Sequence, residues 1–449
     1  MPLWYTLSCN SQSSMNSIEA ANHFYLLDLF ECCEPEILIY KRLSSVDDIP
    51  NDKYYGEQWG LNNEKNLGTD INVEDAWKET KGEGVIVAIV DDGVDTGHRD
   101  LWDNCHSLES YDATTGTSPS NRYGDHGTNC AGIVGAVQNN GRGISGVAPN
   151  AQLISISLDF YNGVSMQQLT NGLKWACKKG AHVMSCSWGY DLPCTLLSNA
   201  IDSISRYGRS GKGCVLVFST GNRGGKDTAR VVRFPANSIP RVLAVGASKS
   251  CGIRVGDRDS CCMDDFISWE SCYGEELDVV APGFSIVTTT PEISHWSGYI
   301  HDFWGTSAAC PHVAGVVALM LSVNPDMTAE EVDFIIGRTA HKTRTDIYSY
   351  QKDTLHTNGT WNNKVGYGLV DATAAVKMAK EAKETTYVRN LVLNADTFKY
   401  FRDTFVEVEN VTVRPDGQLH IDTERRALLK SSVRIKKGAY STIYNVPLQ

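Results

Sequence analysis

Four residues of different chemistry stand where the sequence pattern changes: Asp91, His126, Asn222 and Ser307. A carboxylate, an imidazole, an amide and a hydroxyl are the inventory of an acyl transfer. A serine hydroxyl is a weak nucleophile until a neighbouring base takes its proton. Histidine titrates in the range to do that, and then protonates a leaving amine. An aspartate fixes the imidazole tautomer and balances the imidazolium. An amide N–H holds a developing oxyanion, worth on the order of 3 kcal/mol in such sites. Taken singly, each residue has an ordinary explanation. Thr306 and Ser307 serve equally as helix caps, and Asp91, before Asp92-Gly93, as a turn residue, a ribose ligand or a metal ligand. His126 suits a helix start, and Gly221-Asn222 a turn.

The elements around them decide. VIVAIV (85–90), AQLISISL (151–158), AHVMSCSW (181–188), GCVLVFST (213–220) and RVLAVGAS (241–248) are continuous apolar runs rich in β-branched residues. Such strands are covered on both faces, as in a parallel sheet. Helical patterns separate them at 126–137, 164–180 and 195–208. The alternation predicts an α/β fold with a doubly wound, mainly parallel sheet, whose functional groups gather at the carboxyl ends of strands. Asn72 is the expected cap of a short helix over 73–79, and Thr328-x-x-Glu331 is a capping box. The stretch 305–323 reads as a buried helix with Pro311 near its start and Ser307 at its mouth.

The ends differ from this centre. Residues 1–42 read as a small α+β unit and 43–58 as a polar linker. The main domain spans 59–383, and 384–449 alternates like a small β-rich module. The formal net charge of −12 in 449 residues argues against a nucleic-acid partner and leaves room for cations. No run reaches the ~20 apolar residues of a transmembrane segment, and no signal peptide is visible. The 14 cysteines lack paired CxxC spacing, which argues against zinc. Disulfides are expected among Cys251, Cys261, Cys262 and Cys272, and buried thiols at Cys130, Cys186, Cys214 and Cys310.

The segments VAIVDDGVDTGHRDL (87–101), HGTNCAGIVGA (126–136), SWG (187–189), FSTGN (218–222), LDVVAPG (277–283) and GTSAACPHVAG (305–315) resemble those of the subtilisin-like serine proteases, in order and with compatible spacing. The resemblance is to the bacterial type, with some kexin- and furin-like features at Asp92, Cys130 and Trp188. It implies a serine endopeptidase with Asp91, His126 and Ser307 as the triad, in the family's chain order, and Asn222 as oxyanion donor. Ser187, Trp188 and Gly189 then resemble the edge that pairs with extended substrate backbone.

The furin-like branch has acidic pockets for basic side chains. The candidates at matching places are Asp92, Asp191, Asp227 and Glu270, which gives an expected preference for basic residues before the cut. The resemblance also implies a structural Ca2+ held by Asp52, Asp100, the Asn140 side chain and the carbonyls of Val137, Arg142 and Ile144, hard oxygen ligands that suit calcium. Residues 1–42 resemble the later half of a subtilase propeptide, an intramolecular inhibitor, with self-cleavage expected after Arg42. Polypeptide substrates and a secreted or cell-surface location with a trimmed signal follow. The rival reading is a catalytically silent subtilase fold used for binding or display.

Overall fold

The computed structural model describes residues 49–223, 231–238, 241–257, 268–352 and 354–382, and strands with short connections between 386 and 445. The propeptide-like unit with its Lys41-Arg42 pair, and Asp227, Cys261 and Cys262, lie outside the described residues. Residues 50–58, expected as linker, are packed into the main unit, which begins at Pro50. Asp52 and Tyr55 are buried there, and Gln58 exchanges hydrogen bonds with the Ser145 backbone.

The apolar runs form a seven-stranded sheet: β1 (Ile86–Asp91), β2 (Tyr111–Asp112), β3 (Gln152–Ser157), β4 (Val183–Cys186), β5 (Val215–Ser219), β7 (Val242–Ser248) and β9 (Val279–Pro282). Their order is β2-β3-β1-β4-β5-β7-β9, and each neighbouring pair is parallel. The alternation of side chains along a strand explains the continuous apolar pattern. Val87 and Ile89 of β1 face one core, Ala88 and Val90 the other. The first core holds α1 (His126–Gly135), α4 (Thr306–Val323), α5 (Ala329–Thr339) and α6 (Ala372–Ala382). The second holds α2 (Met166–Lys178) and α3 (Thr195–Gly211). The strand order turns back at β1, so the carboxyl ends of β1, β4 and β5 lie side by side, where such folds open a crevice.

Helix α4 is long and apolar enough to cross a membrane, but it is a core helix, 83% buried. Pro311 is its sixth residue and removes the N–H that would bond the Ser307 carbonyl. The capping box forms: Thr328 Oγ1 accepts from Glu331 N (3.1 Å) and Glu331 Oε2 from Thr328 N (2.8 Å). The helix expected over 73–79 is only a 3-10 turn, Ala76–Lys78. Asn72 does not cap it: its backbone takes φ 52°, a left-handed conformation asparagine tolerates, and its amide donates to Asp371.

Smaller pieces flank the sheet. β6 (Asn222–Arg223) pairs antiparallel with β8 (Glu270–Ser271), and β10 (Ile286–Thr289) with β11 (Tyr299–Phe303). Beyond 386, β12 (Thr386–Arg389), β14 (Phe398–Glu409), β16 (Gln418–Leu429) and β18 (Tyr440–Asn445) pair in parallel, as do β13 (Val392–Leu393), β15 (Thr412–Val413) and β17 (Arg434–Ile435). Phe398 is opposite Gln418, and Gln418 opposite Tyr440, so successive passes of the chain stack as rungs. Cys251 is disulfide-bonded, whereas Cys272 is free, as are Cys130, Cys186, Cys214 and Cys310.

Candidate active site

Strand β1 ends in Asp91, and α1 begins with His126. His126 Nδ1 lies 2.8 Å from Asp91 Oδ1, which also accepts the Asp92 N–H at 2.8 Å. An imidazole that donates through Nδ1 keeps Nε2 free as a base. His126 retains about a third of its side chain exposed (34%), while Asp91 is buried. Burial disfavours the imidazolium, but the Asp91 carboxylate outweighs it and holds the His126 pKa above its ordinary value.

Asp92 ties the same two elements together. Its Oδ2 accepts the His126 N–H (3.2 Å) and its Oδ1 the Gly127 N–H (2.6 Å), satisfying two donors of the α1 N-terminus. Burial first, and then the neighbouring Asp91 charge, push the Asp92 carboxyl up to about 7. It is 3% exposed.

Ser307 is the second residue of α4. Gly305 before it takes φ 113°, and a Cβ there would meet Asn222 Nδ2 at 2.9 Å, so the approach of Asn222 requires glycine. Asn222 Oδ1 accepts from Thr306 N (2.9 Å) and Thr306 Oγ1 (3.0 Å), which leaves Nδ2 turned towards the helix start. Ser307 Oγ donates to the Ser187 carbonyl (3.2 Å); among the described residues no hydrogen bond joins it to His126. The Ser307 carbonyl, freed by Pro311, accepts from Ser187 Oγ (3.0 Å) and Cys130 Sγ (3.5 Å). Cys130 therefore links the two helix starts, with its sulfur 3.8 Å from His126 Nδ1. Cys310 is buried and donates to the Val217 carbonyl, a packing position.

Ser187, Trp188 and Gly189 follow β4. Trp188 is anchored by its indole N–H to the Val90 carbonyl (2.8 Å) and sets this edge beside β1. The acids expected to receive basic side chains are already engaged. Asp191 Oδ1 meets both Arg223 and, at 3.2 Å, Arg233. Glu270 meets Arg254 at 3.3 Å, and Arg254 also holds Asp257 at 2.8 Å. The structure thus brings Asp191 to the cleft with two arginines that the sequence reading passed over. Arg223, directly after Asn222, was the available signal.

The second cluster lies in the loop after α1. Asp52 (5% exposed) accepts the N–H groups of Asn139 and Asn140, at 2.9 and 3.2 Å. Asp100 (0% exposed) accepts Asn140 Nδ2 at 2.6 Å and the Ile144 N–H at 3.0 Å. Burial is the main cause that raises both carboxyls, Asp52 to about 6 with the Asp100 charge adding to it. No ion pair reaches either acid among the described residues. Two buried carboxylates that converge on Asn140, with no ion pair to balance them, fit a hard cation. The Arg142 side chain is exposed, which leaves its backbone available and its charge in solvent.

Residues 82–368 match the family model described as the Subtilase family. The chain is 30% identical over 418 residues to a "Calcium-dependent protease" of Trichormus variabilis, covering 84% of this chain and 58% of that protein. It is 35% identical over 298 residues to a "Thermophilic serine proteinase" of a Bacillus species (66% of this chain, 64% of that protein). With proprotein convertase subtilisin/kexin type 4 of Mus musculus it shares 31% over 353 residues (74% and 50%). Among solved structures, a protease from Pseudoalteromonas arctica superposes with a TM-score of 0.58 at 27% identity, covering 74% of this chain and 99% of that one. The chain spans less than two thirds of the length of these curated relatives. A family match over more than half of the chain, on a mainly parallel α/β sheet, establishes that the chain belongs to the subtilase family.

Proposed function

We propose that the chain is a serine endopeptidase that cleaves polypeptides through an acyl-enzyme. The carrying observation is the 2.8 Å Asp91–His126 pair at the mouth of α4, where Ser307 sits. His126 Nε2 takes the Ser307 proton as Oγ attacks the scissile carbonyl. The oxyanion forms beside Asn222 Nδ2 and the Ser307 N–H, which has no acceptor among the described residues. His126 then protonates the leaving amine, and water, deprotonated by the same nitrogen, releases the acyl group. Asp91 holds the tautomer throughout.

Asp52, Asp100, Asn140 and the carbonyls of Val137, Arg142 and Ile144 would hold Ca2+, which supplies charge balance to two buried acids and stiffens the loop behind α1. Residues 1–42 act as the intramolecular inhibitor, and the Cys251 disulfide suits a chain that works outside the reducing cytosol. The preference for basic residues is not part of this proposal, because Asp191 and Glu270 already face arginines.

A fluorophosphonate probe tests the reading. Labelling of the mature chain in calcium that disappears in Ser307→Ala and in His126→Ala is the expected result. A wild-type chain that stays unlabelled after removal of residues 1–42 overturns it in favour of a silent binding protein.

A further inference from the structure

Two backbone edges lead away from Ser307. One is Ser187-Trp188-Gly189 after β4, whose Ser187 carbonyl holds Ser307 Oγ. The other is Thr220-Gly221-Asn222 after β5, whose Asn222 holds Thr306. The segment 232–234 runs between them. Arg233 N donates to the Thr220 carbonyl (3.0 Å), and Phe234 exchanges backbone hydrogen bonds with Tyr190 (2.7 and 3.0 Å). The Arg233 stem crosses the floor of the gap. A Cβ on Gly221 would meet Arg233 Cδ at 2.4 Å, and one on Gly189 would meet Arg233 Cβ at 3.3 Å. Glycine on both edges makes room for this side chain.

The two guanidiniums that border the gap converge on one atom, Asp191 Oδ1. Arg223 and Arg233 keep 34% and 27% of their side chains exposed, and Asp191 keeps 54%. Each guanidinium offers five N–H donors in a planar fork suited to carboxylates. Among the described residues this one carboxylate is the acid they meet, which leaves most of those donors, and one positive charge, unmatched there. Glu270, opposite Arg223 in the β6–β8 ladder, does not supply it, because Arg254, which also holds Asp257, draws it into a separate network. The bound Asp191 shows what the pair recognises. In the peptidase reading, on which this inference rests, a substrate residue whose carbonyl reaches Ser307 directs its side chain into this gap.

We propose that Arg223 and Arg233 form a carboxylate receptor that selects a glutamate or aspartate immediately before the scissile bond. The charge of the gap is the reverse of the one expected from the acids in the sequence. A lysine or arginine there would meet two guanidiniums across a short, partly desolvated distance, which disfavours it strongly.

The test is a peptide series identical except for Glu, Gln, Leu, Lys or Arg before the cleavage point, assayed with the mature full-length protein in calcium. Glu is expected to exceed Lys by roughly 100-fold in kcat/KM, in line with discrimination by charged groups in binding sites. Arg233→Ala and Arg223→Gln are each expected to cut the Glu rate about tenfold and to leave the Leu rate within about threefold. Cleavage of Lys or Arg peptides as fast as Glu, or an equal loss on every peptide in both variants, overturns the proposal. Binding of the same peptides to Ser307→Ala separates this failure from that of the peptidase reading. Tighter binding of Glu than Lys peptides supports the receptor even without turnover, and equal binding overturns it whatever the labelling experiment shows.

Discussion

Two pairs of buried acids in this chain meet opposite fates. Asp91 and Asp92 are answered from within: an imidazole stands on one, and the first two N–H groups of α1 stand on the other. Among the described residues Asp52 and Asp100 have no ion pair, and the donors that reach them, backbone N–H groups and the Asn140 amide, are neutral. The nearby His98 is turned elsewhere: its Nδ1 accepts the Asp100 backbone N–H and its Nε2 lies 2.8 Å from the Gly298 carbonyl. The difference is one of where the balancing charge comes from. A pair balanced by a titratable ring can move a proton. A pair left with neutral donors calls for a cation from outside, and that suits a structural metal rather than chemistry.

The sharpest way to break this comparison is to remove the acid that faces the ring. Asp91→Asn is expected to lower kcat by about 10^4, because an amide orients the wrong tautomer. The pH profile supplies the sign. His126 is raised by Asp91, so the wild-type acid limb falls through a midpoint above the ordinary 6.5, with activity present above it and lost as pH drops. In Asp91→Asn the residual activity should titrate at lower pH. An unchanged midpoint with a loss under tenfold would mean that Asp91 does not act on His126.

The second pair is tested by chelation. Removing calcium is expected to lower the melting temperature by roughly 5–10 °C, from mass-action stabilisation at saturating metal. Asp100→Asn should show that lower value with or without calcium. A melting temperature indifferent to chelator would remove the cation from the account and leave the loop's own donors as sufficient.

Much of this was legible because it depends on local pattern. Continuous β-branched runs gave the strands, since both faces are buried. Asp91, His126, Asn222 and Ser307 stood out because each lies at the end of a strand or the start of a helix, and a parallel sheet collects such ends on one edge. The pairing of charges was not legible. Arg223 and Asp191 are 32 positions apart and Arg233 and Asp191 are 42 apart, and nothing in hydrophobic periodicity records which loops meet. Counting acids therefore suggested a basic preference where the folded cleft presents two arginines. Asn72 failed as a predicted cap for a related reason: a distant partner, Asp371, takes its amide.

The smallest predicted effect concerns how Ser307 is held. Pro311 withholds the N–H that α4 would give to the Ser307 carbonyl, and Ser187 Oγ and Cys130 Sγ take its place, from the β4 edge and from α1. Either donor alone still satisfies the oxygen, so Ser187→Ala and Cys130→Ala should each change kcat by only a few fold. Together they leave the carbonyl unpaired, at a cost of about 1–3 kcal/mol, and the double variant should fall well below the product of the singles. Pro311→Ala restores an N–H four residues along the helix and is expected to recover most of that loss. A double variant that is merely multiplicative, or that the proline substitution fails to rescue, would show that the two side chains act on the site separately rather than through the Ser307 carbonyl.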